Sequence, residues 1–319
     1  MFENGPMSST ETATDRRETL RAERLPTVPY RGHFEWRIII TFLAFAAMWL
    51  LVVALGATGA FPLWVGTVFN AALAATFYMP LHEAVHGNIW GSVGRYRWCE
   101  DLIGVLCAVP LASTSYASHR IMHMRHHAYT NDPVRDPDHF VAGSLGSLVP
   151  KLVGLTVTYP LLPLLMLVPQ RHLPEELRGA YRLSVEDRAL RKANIHHWVF
   201  WAVTHAALLA AFLFGFGWEA LMLWYLPARL AAMWLAFIFA WFPHHPDLGI
   251  GRYIDTRVAA FPGSRFLARG HDYHALHHLF PRVPHTRLRA LWDVVGEDLV
   301  TKGVRAEGTA RYSTGPIRW

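Results

Sequence analysis

Long apolar stretches alternate with polar ones along this chain. Apolar runs occupy residues 36–58, 62–80, 101–117, 144–168, 197–217 and 219–242. A helix that crosses a bilayer needs about 20 apolar residues, and the first two and last two runs meet that length. The 101–117 run is shorter and ends in the polar segment "ASTSYAS" (112–118), which predicts a re-entrant or interfacial segment. The 144–168 run contains Pro150, Lys151, Pro160 and Pro163. Proline kinks or breaks a helix interior, so this run need not cross as one helix. The pattern predicts an all-α integral membrane protein with four transmembrane helices in two hairpins, 36–80 and 197–242. Re-entrant or interfacial helices lie beside them.

The connecting segments predict the sidedness. The tight links "TGAFP" (58–62) and "GFGWE" (215–219) carry no Lys or Arg, whereas the 171–194 loop carries five Arg and a Lys. Cytoplasmic loops hold the excess of basic residues. The rule places the N-terminal segment, 82–195 and 243–319 in the cytosol, with both termini, for a multi-pass protein of the inner membrane. Residues 1–30 are polar and lack the apolar core and cleavage site of a secretory signal. They read as a mobile cytosolic tail before a membrane domain at 31–300 and a C-terminal tail at 301–319.

Composition agrees with a membrane chain: 52% of its 319 residues are hydrophobic and 17% charged. The net charge of +6 reads as orientation charge, since no nucleic-acid motif or basic–aromatic stripe accompanies it. Cys99 and Cys107 form no metal pattern.

Histidine changes the picture. There are 19, and most of them cluster. "LHEAVHG" (81–87) contains His82-Glu83-x-x-His86, the pattern of zinc proteases, with Glu83 as the base. "SHRIMHMRHHAYTNDP" (118–133) contains His123, His126 and His127, with His119 one turn earlier. "WFPHHPD" (241–247) holds His244 and His245, and "GHDYHALHHLFPRVP" (270–284) holds His274, His277 and His278, with His271 one turn earlier. On a helix, positions i, i+3 and i+4 share a face, so each motif presents its imidazoles in one direction, and all lie on one side of the membrane. Two from the first motif, three from each HxxHH and one from the His244/His245 pair make nine candidates. A single zinc takes three or four protein ligands, so nine imidazoles predict two metals with open positions. Imidazole suits Zn, Cu, Fe or Ni alike. A protease would leave both HxxHH motifs unexplained. The remaining histidines, such as His33, His139, His172, His196, His197, His205 and His285, read as structural or surface residues.

At these residues the chain resembles the membrane fatty acid desaturase superfamily, which includes carotenoid hydroxylases and ketolases. The carriers are "HEAVHG", "HMRHHAYTND" and "HALHHLFPRVP", in that order over about residues 36 to 295. The resemblance implies four spanning helices under a cytosolic helical cap that holds a His-rich dimetal site with two iron ions. The implied ligands are His82, His86, His123, His126, His127, His274, His277 and His278. The implied ninth is His244, with His245 as the alternative because the family usually has Arg there. His119, His245, His271, Asp136, Asp138 and Asp272 are candidates for orienting imidazoles, as is Asp132; the competing reading of the aspartates is turn formation. Glu83 becomes a carboxylate that supports an imidazole. The implied activity is an O2-dependent oxidoreductase acting on a fatty acyl chain, by desaturation or hydroxylation. "NDPVRDPDHF" (131–140) and the words around the last histidine cluster are also similar to beta-carotene ring hydroxylases, the alternative substrate class. A membrane zinc metalloprotease and a metal carrier are the readings from other classes. No flavin, nicotinamide, ferredoxin-like or cytochrome b5-like motif is present, so electrons would come from a separate ferredoxin- or cytochrome b5-type donor with its reductase. The apolar segment "PLLPLLMLVP" (160–169) reads either as an interfacial substrate entry or as lipid-facing packing.

Overall fold

The computed structural model describes residues 13–91, 94–158, 168–172, 187–245 and 249–311. Helix α1 (Ala13–Arg24) leads through a 3-10 turn (Leu25–Tyr30) to α2 (Trp36–Ala57) and α3 (Leu63–His86). Next come α4 (Arg97–Leu111), α5 (Tyr116–Tyr129) and α6 (Leu145–Thr158). Then follow α7 (Arg188–Leu213) and α8 (Gly217–Trp241), strand β1 (Arg257–Ala260), α9 (His274–Leu279), α10 (Leu288–Thr301) and strand β2 (Arg305–Gly308).

Helices α2, α3, α7 and α8 are each long and apolar enough to cross a membrane. Ile40, Leu43, Leu50 and Leu51 of α2 are all more than half exposed. Such a face is stable only where the surrounding solvent is itself apolar. The short links 58–62 and 214–216 close two hairpins at one end. At the other end, the amide of Glu35, just before α2, donates to the Ile89 carbonyl beyond α3 (2.8 Å). There too, Arg125 of α5 pairs with Asp187, the N-cap of α7 (2.6 Å).

Local sequence explains the irregular points. Pro80 lacks the N–H that would bond back to Thr76, and α3 is interrupted at Phe77. Gly87 ends α3 in the left-handed region (φ 67°), directly after His86. A Cβ there would lie 2.9 Å from the Arg282 guanidinium, which donates to the His86 carbonyl. The 101–117 run forms α4 and the start of α5, a pair bent by 100°, the geometry of either a broken span or a re-entrant loop. Of the 144–168 run, α6 continues through Pro150 to Thr158; residues 159–167, most of the expected entry segment, lie outside the described residues.

Three features differ from the sequence reading. Residues 17–30 are held against the C-terminal part of the chain, where Glu23 is buried and paired with Arg252 and Lys302. A buried carboxylate with two cationic partners anchors a segment that polarity alone marks as a tail. Residues 305–308 likewise belong to the packed body: β2 pairs in parallel with the buried strand β1, Arg257 opposite Arg305. The protein is therefore mostly, but not entirely, helical. Leu276, Leu279, Phe280, Leu288, Leu291, Trp292 and Leu299 form the core beneath these strands.

Arg229 is the buried cation of α8. It donates to the Ala112 carbonyl and to Ser113 Oγ (3.0 Å), at the C-terminal end of α4. The last carbonyls of a helix have no partner of their own, and in an apolar setting an unpaired one costs about 1–3 kcal/mol. Arg229→Leu is expected to lower the thermal inactivation midpoint in detergent by about 2–6 °C. An unchanged midpoint would show that this end of α4 is held by other contacts.

Candidate metal centre

The end of α3, the whole of α5, the turn after α8 and helix α9 converge at the end of the bundle away from the short links. Their imidazoles form two groups. His82, His86, His123, His127 and His277 are one, and His126, His244, His274 and His278 the other; within each, one ligand atom per residue lies within 4.8 Å of all the rest. Both groups can hold a metal ion.

Helical spacing explains the partition. In the first HxxHH motif the i, i+4 pair His123 and His127 joins the group of five, and His126, at i+3, joins the group of four. The second motif reverses this: His274 and His278 enter the group of four and His277 the group of five. Positions i and i+4 lie closest to one face, while i+3 is rotated away on the other flank. Each motif therefore serves both groups rather than pointing one way. His127 and His278 stack where the groups meet, with ring centroids 4.2 Å apart.

The outer nitrogens fix which way the rings face. His126 Nδ1 donates to Asp136 (2.9 Å), and His244 Nδ1 donates to the Asp255 carbonyl (3.2 Å). Thr130 gives its hydroxyl proton to the His126 carbonyl (2.9 Å), so its oxygen accepts from His278 Nδ1 (3.2 Å). In the group of five, His82 Nδ1 donates to Glu83 (3.2 Å). A neutral imidazole protonated at Nδ1 presents a lone pair at Nε2. The Nε2 atoms face one another: His126–His244 at 3.2 Å, His244–His274 at 2.9 Å, His82–His277 at 3.0 Å and His86–His123 at 2.9 Å.

These separations test the fit of a metal. With metal–nitrogen bonds of about 2.1 Å, two ligands at right angles place their nitrogens about 3.0 Å apart. His244 and His278 both have Nδ1 committed as a donor and are kept neutral by burial, and both face His274 Nε2, at 2.9 and 3.0 Å. One ring nitrogen donates at most one proton, so at least one of these contacts sets two lone pairs against each other, and they repel unless a cation lies between them. The donor set suits a borderline metal of the Fe, Zn, Cu or Ni type.

Electrostatics agrees. Burial, followed by the neighbouring imidazoles, holds His123, His127, His244, His274, His277 and His278 well below the ordinary histidine value. They are neutral at physiological pH, as ligands must be. His126 goes the other way: burial lowers it, but the Asp136 hydrogen bond and the Asp138 and Asp255 carboxylates raise it overall.

The remaining candidates fall in several places. His245 stands apart from both groups, its carbonyl accepting from Arg257 (2.9 Å); His244 occupies the position beside the other rings. His119 stacks on His123 (centroids 5.5 Å), and His271 packs against His82 (4.8 Å) and His274 (4.6 Å). Their Nε2 atoms have no hydrogen-bond partner among the described residues. Asp136 holds His126 directly, with Asp138 farther off at 3.7 Å. Asp272 accepts from Ser264 Oγ (2.7 Å) rather than from an imidazole, and Asp132 accepts the amides of Val134 and Arg135, the turn-forming alternative. Glu83 is fully buried and accepts from His82 Nδ1 and Asn88 Nδ2 (2.9 Å). It therefore sits behind His82, on the side away from the clustered Nε2 atoms. A protease base would face water on the metal, so the arrangement speaks against that reading.

Sequence reasoning missed Thr130, Asn131 and the Asp255 carbonyl. Thr130 lies four residues after His126 and was recoverable from helical spacing. The carbonyl was not, because any residue can supply it.

The shifts give a pH dependence. Unfolded, these imidazoles titrate near 6.5. Below that pH the unfolded chain binds protons that the native cluster refuses, so stability falls as pH drops. Six lowered groups outweigh the opposite contribution of His126. Metal-free protein is expected to melt progressively earlier as pH falls from about 7.5 to about 5.5. A midpoint that rises on acidification would contradict neutral imidazoles.

A family model described as fatty acid desaturase matches residues 58–307, a span that includes every imidazole of both groups. No curated protein matches the chain.

Proposed function

The chain belongs to the fatty acid desaturase family, and from that premise we propose a membrane-bound, O2-dependent diiron oxidoreductase acting on an unactivated C–H bond of a fatty acyl chain. Family membership and four membrane-length helices make it an integral membrane protein of an oxidoreductase family. The observation that carries the finer reading is the division of nine imidazoles into groups of five and four, side by side at one end of the bundle.

The chemistry supplied by bound iron is the O2-dependent, two-electron oxidation of an unactivated C–H bond, which no side chain can perform. The nine imidazoles would hold it. Asp136, Thr130 and the Asp255 carbonyl keep Nδ1 of His126, His278 and His244 protonated and Nε2 free. Glu83 does the same for His82. Tyr78, Phe239 and His271 pack together against the cluster, with ring centroids 4.8 Å and 4.3 Å apart for the Tyr78–Phe239 and Phe239–His271 pairs. Tyr78 and Phe239 come from the ends of α3 and α8, where a lipid chain would arrive from the bilayer; with His271, from the turn before α9, they would exclude water from its reacting carbon. The basic residues of the 171–194 loop and the C-terminal region support a cytosolic position for the histidine end and both termini. Electrons come from a separate ferredoxin- or cytochrome b5-type carrier. Arg120, Arg125, Lys192 and His196, with Asp101, line a groove of about 810 Å³ between α5 and α7, a mostly positive surface for an acidic partner.

The test is expression in a carotene-producing host, with fatty acids and pigments profiled together for wild type and His126→Ala. New double bonds or hydroxyls in acyl chains, absent with the variant, are expected. Hydroxylated carotene with unchanged acyl chains would move the substrate to the carotenoid ring. No change in either pool, with the donor system co-expressed, would overturn the reading.

A further inference from the structure

Glu23 is the least expected buried charge in the molecule. It lies on α1, in a segment whose polarity suggests a free tail, yet it is 8% exposed. Its carboxylate accepts from Tyr253 Oη (2.7 Å), from Lys302 Nζ (3.3 Å) and from the Arg252 guanidinium. A buried carboxylate persists only when its partners compensate the loss of water. Two of those partners lie on one short turn.

That turn, 249–255, is a small closed unit. Ile254 and Asp255 donate their amides to the Gly251 carbonyl (3.0 Å each), and Gly249 donates to Ile254 (3.2 Å). Its inner side faces the group of four histidines. The Gly249 and Asp255 carbonyls both accept from Asn131 Nδ2 (2.8 Å each), and Asp255 also accepts from His244 Nδ1 (3.2 Å). Asn131 in turn donates its amide to Asp136 Oδ2 (2.7 Å), whose other oxygen accepts from His126. The turn thus sets two of the four imidazoles in that group. The outer nitrogen of His82, in the group of five, is held instead by Glu83 of α3.

We propose that Glu23 is a positioning residue for the four-histidine group alone: by locking Arg252 and Tyr253 it fixes the turn that orients His244 and, through Asn131, His126. The N-terminal helix is then part of one metal's support and not of the other's. This rests on the two-metal reading above.

The test uses full-length protein in detergent, loaded anaerobically with ferrous iron and challenged with a chelator. Wild type is expected to release two irons in two phases, and the phase missing from His244→Ala identifies the group of four. Loss of a residue that orients a metal's ligands typically weakens binding by about 10–100-fold, and Glu23 acts one contact farther out, so Glu23→Gln is expected to speed that phase about tenfold. The other phase stays as it was. In an Asn131→Ala background, Glu23→Gln adds no further acceleration to the His126 route, so its effect shrinks. Equal acceleration of both phases would mark Glu23 as a general stability contact and overturn the proposal. Two phases unchanged by Glu23→Gln would also overturn it. Wild type that holds fewer than two irons would fail the two-metal reading itself, and the proposal with it.

Discussion

The constraint on which the rest depends is the mutual repulsion of imidazole lone pairs brought together in a buried space. His244 and His278 have each committed Nδ1 to an acceptor, and both Nε2 atoms face that of His274, at 2.9 and 3.0 Å. Burial disfavours protonation of all three rings, and His274 can share a proton with only one of the other two. A cation removes the repulsion that remains. The carboxylates and carbonyls behind the rings are the corresponding requirement: they hold the rings in the one tautomer that leaves the inner nitrogen free.

The membrane fold follows from the need to gather these rings. Four helices long and apolar enough to cross a membrane pair as two hairpins, and the segments at the end away from the short links carry the histidines. His82 and His86 sit on the last turns of α3, beyond the Phe77 interruption and just before the Gly87 cap. The bent α4–α5 pair brings three more alongside, and Arg229 in α8 holds the carbonyls where α4 ends. His244 lies a few residues after the π-helical turn that ends α8. π-turns recur where a helix must re-aim its side chains at a site.

Much of this was legible in the sequence because it obeys local periodicity. The four membrane-length helices follow from runs of about 20 apolar residues, and the histidine motifs follow from i, i+3 and i+4 spacing. Which ring joins which group was not legible, since the partition depends on how α5 and α9 are rotated against each other. His244 was favoured over His245 by resemblance, and the structure sets His244 among the rings with His245 outside. The roles of Asp136 and Asp272 separated only in three dimensions: one reaches an imidazole, the other a serine hydroxyl. The terminal segments misled for a related reason. Glu23 and the 305–308 strand are held by partners far away in sequence, and polarity alone cannot distinguish a solvated charge from a paired one.

The central claim is that the clustered rings are two metal sites and not one. The most direct measurement is the metal content of detergent-purified protein, wild type beside His126→Ala and His82→Ala, by mass spectrometry. The account predicts two irons per chain in wild type, with each variant losing metal. A single zinc retained by His126→Ala and lost from His82→Ala would contradict it and return the HExxH motif to a site of its own.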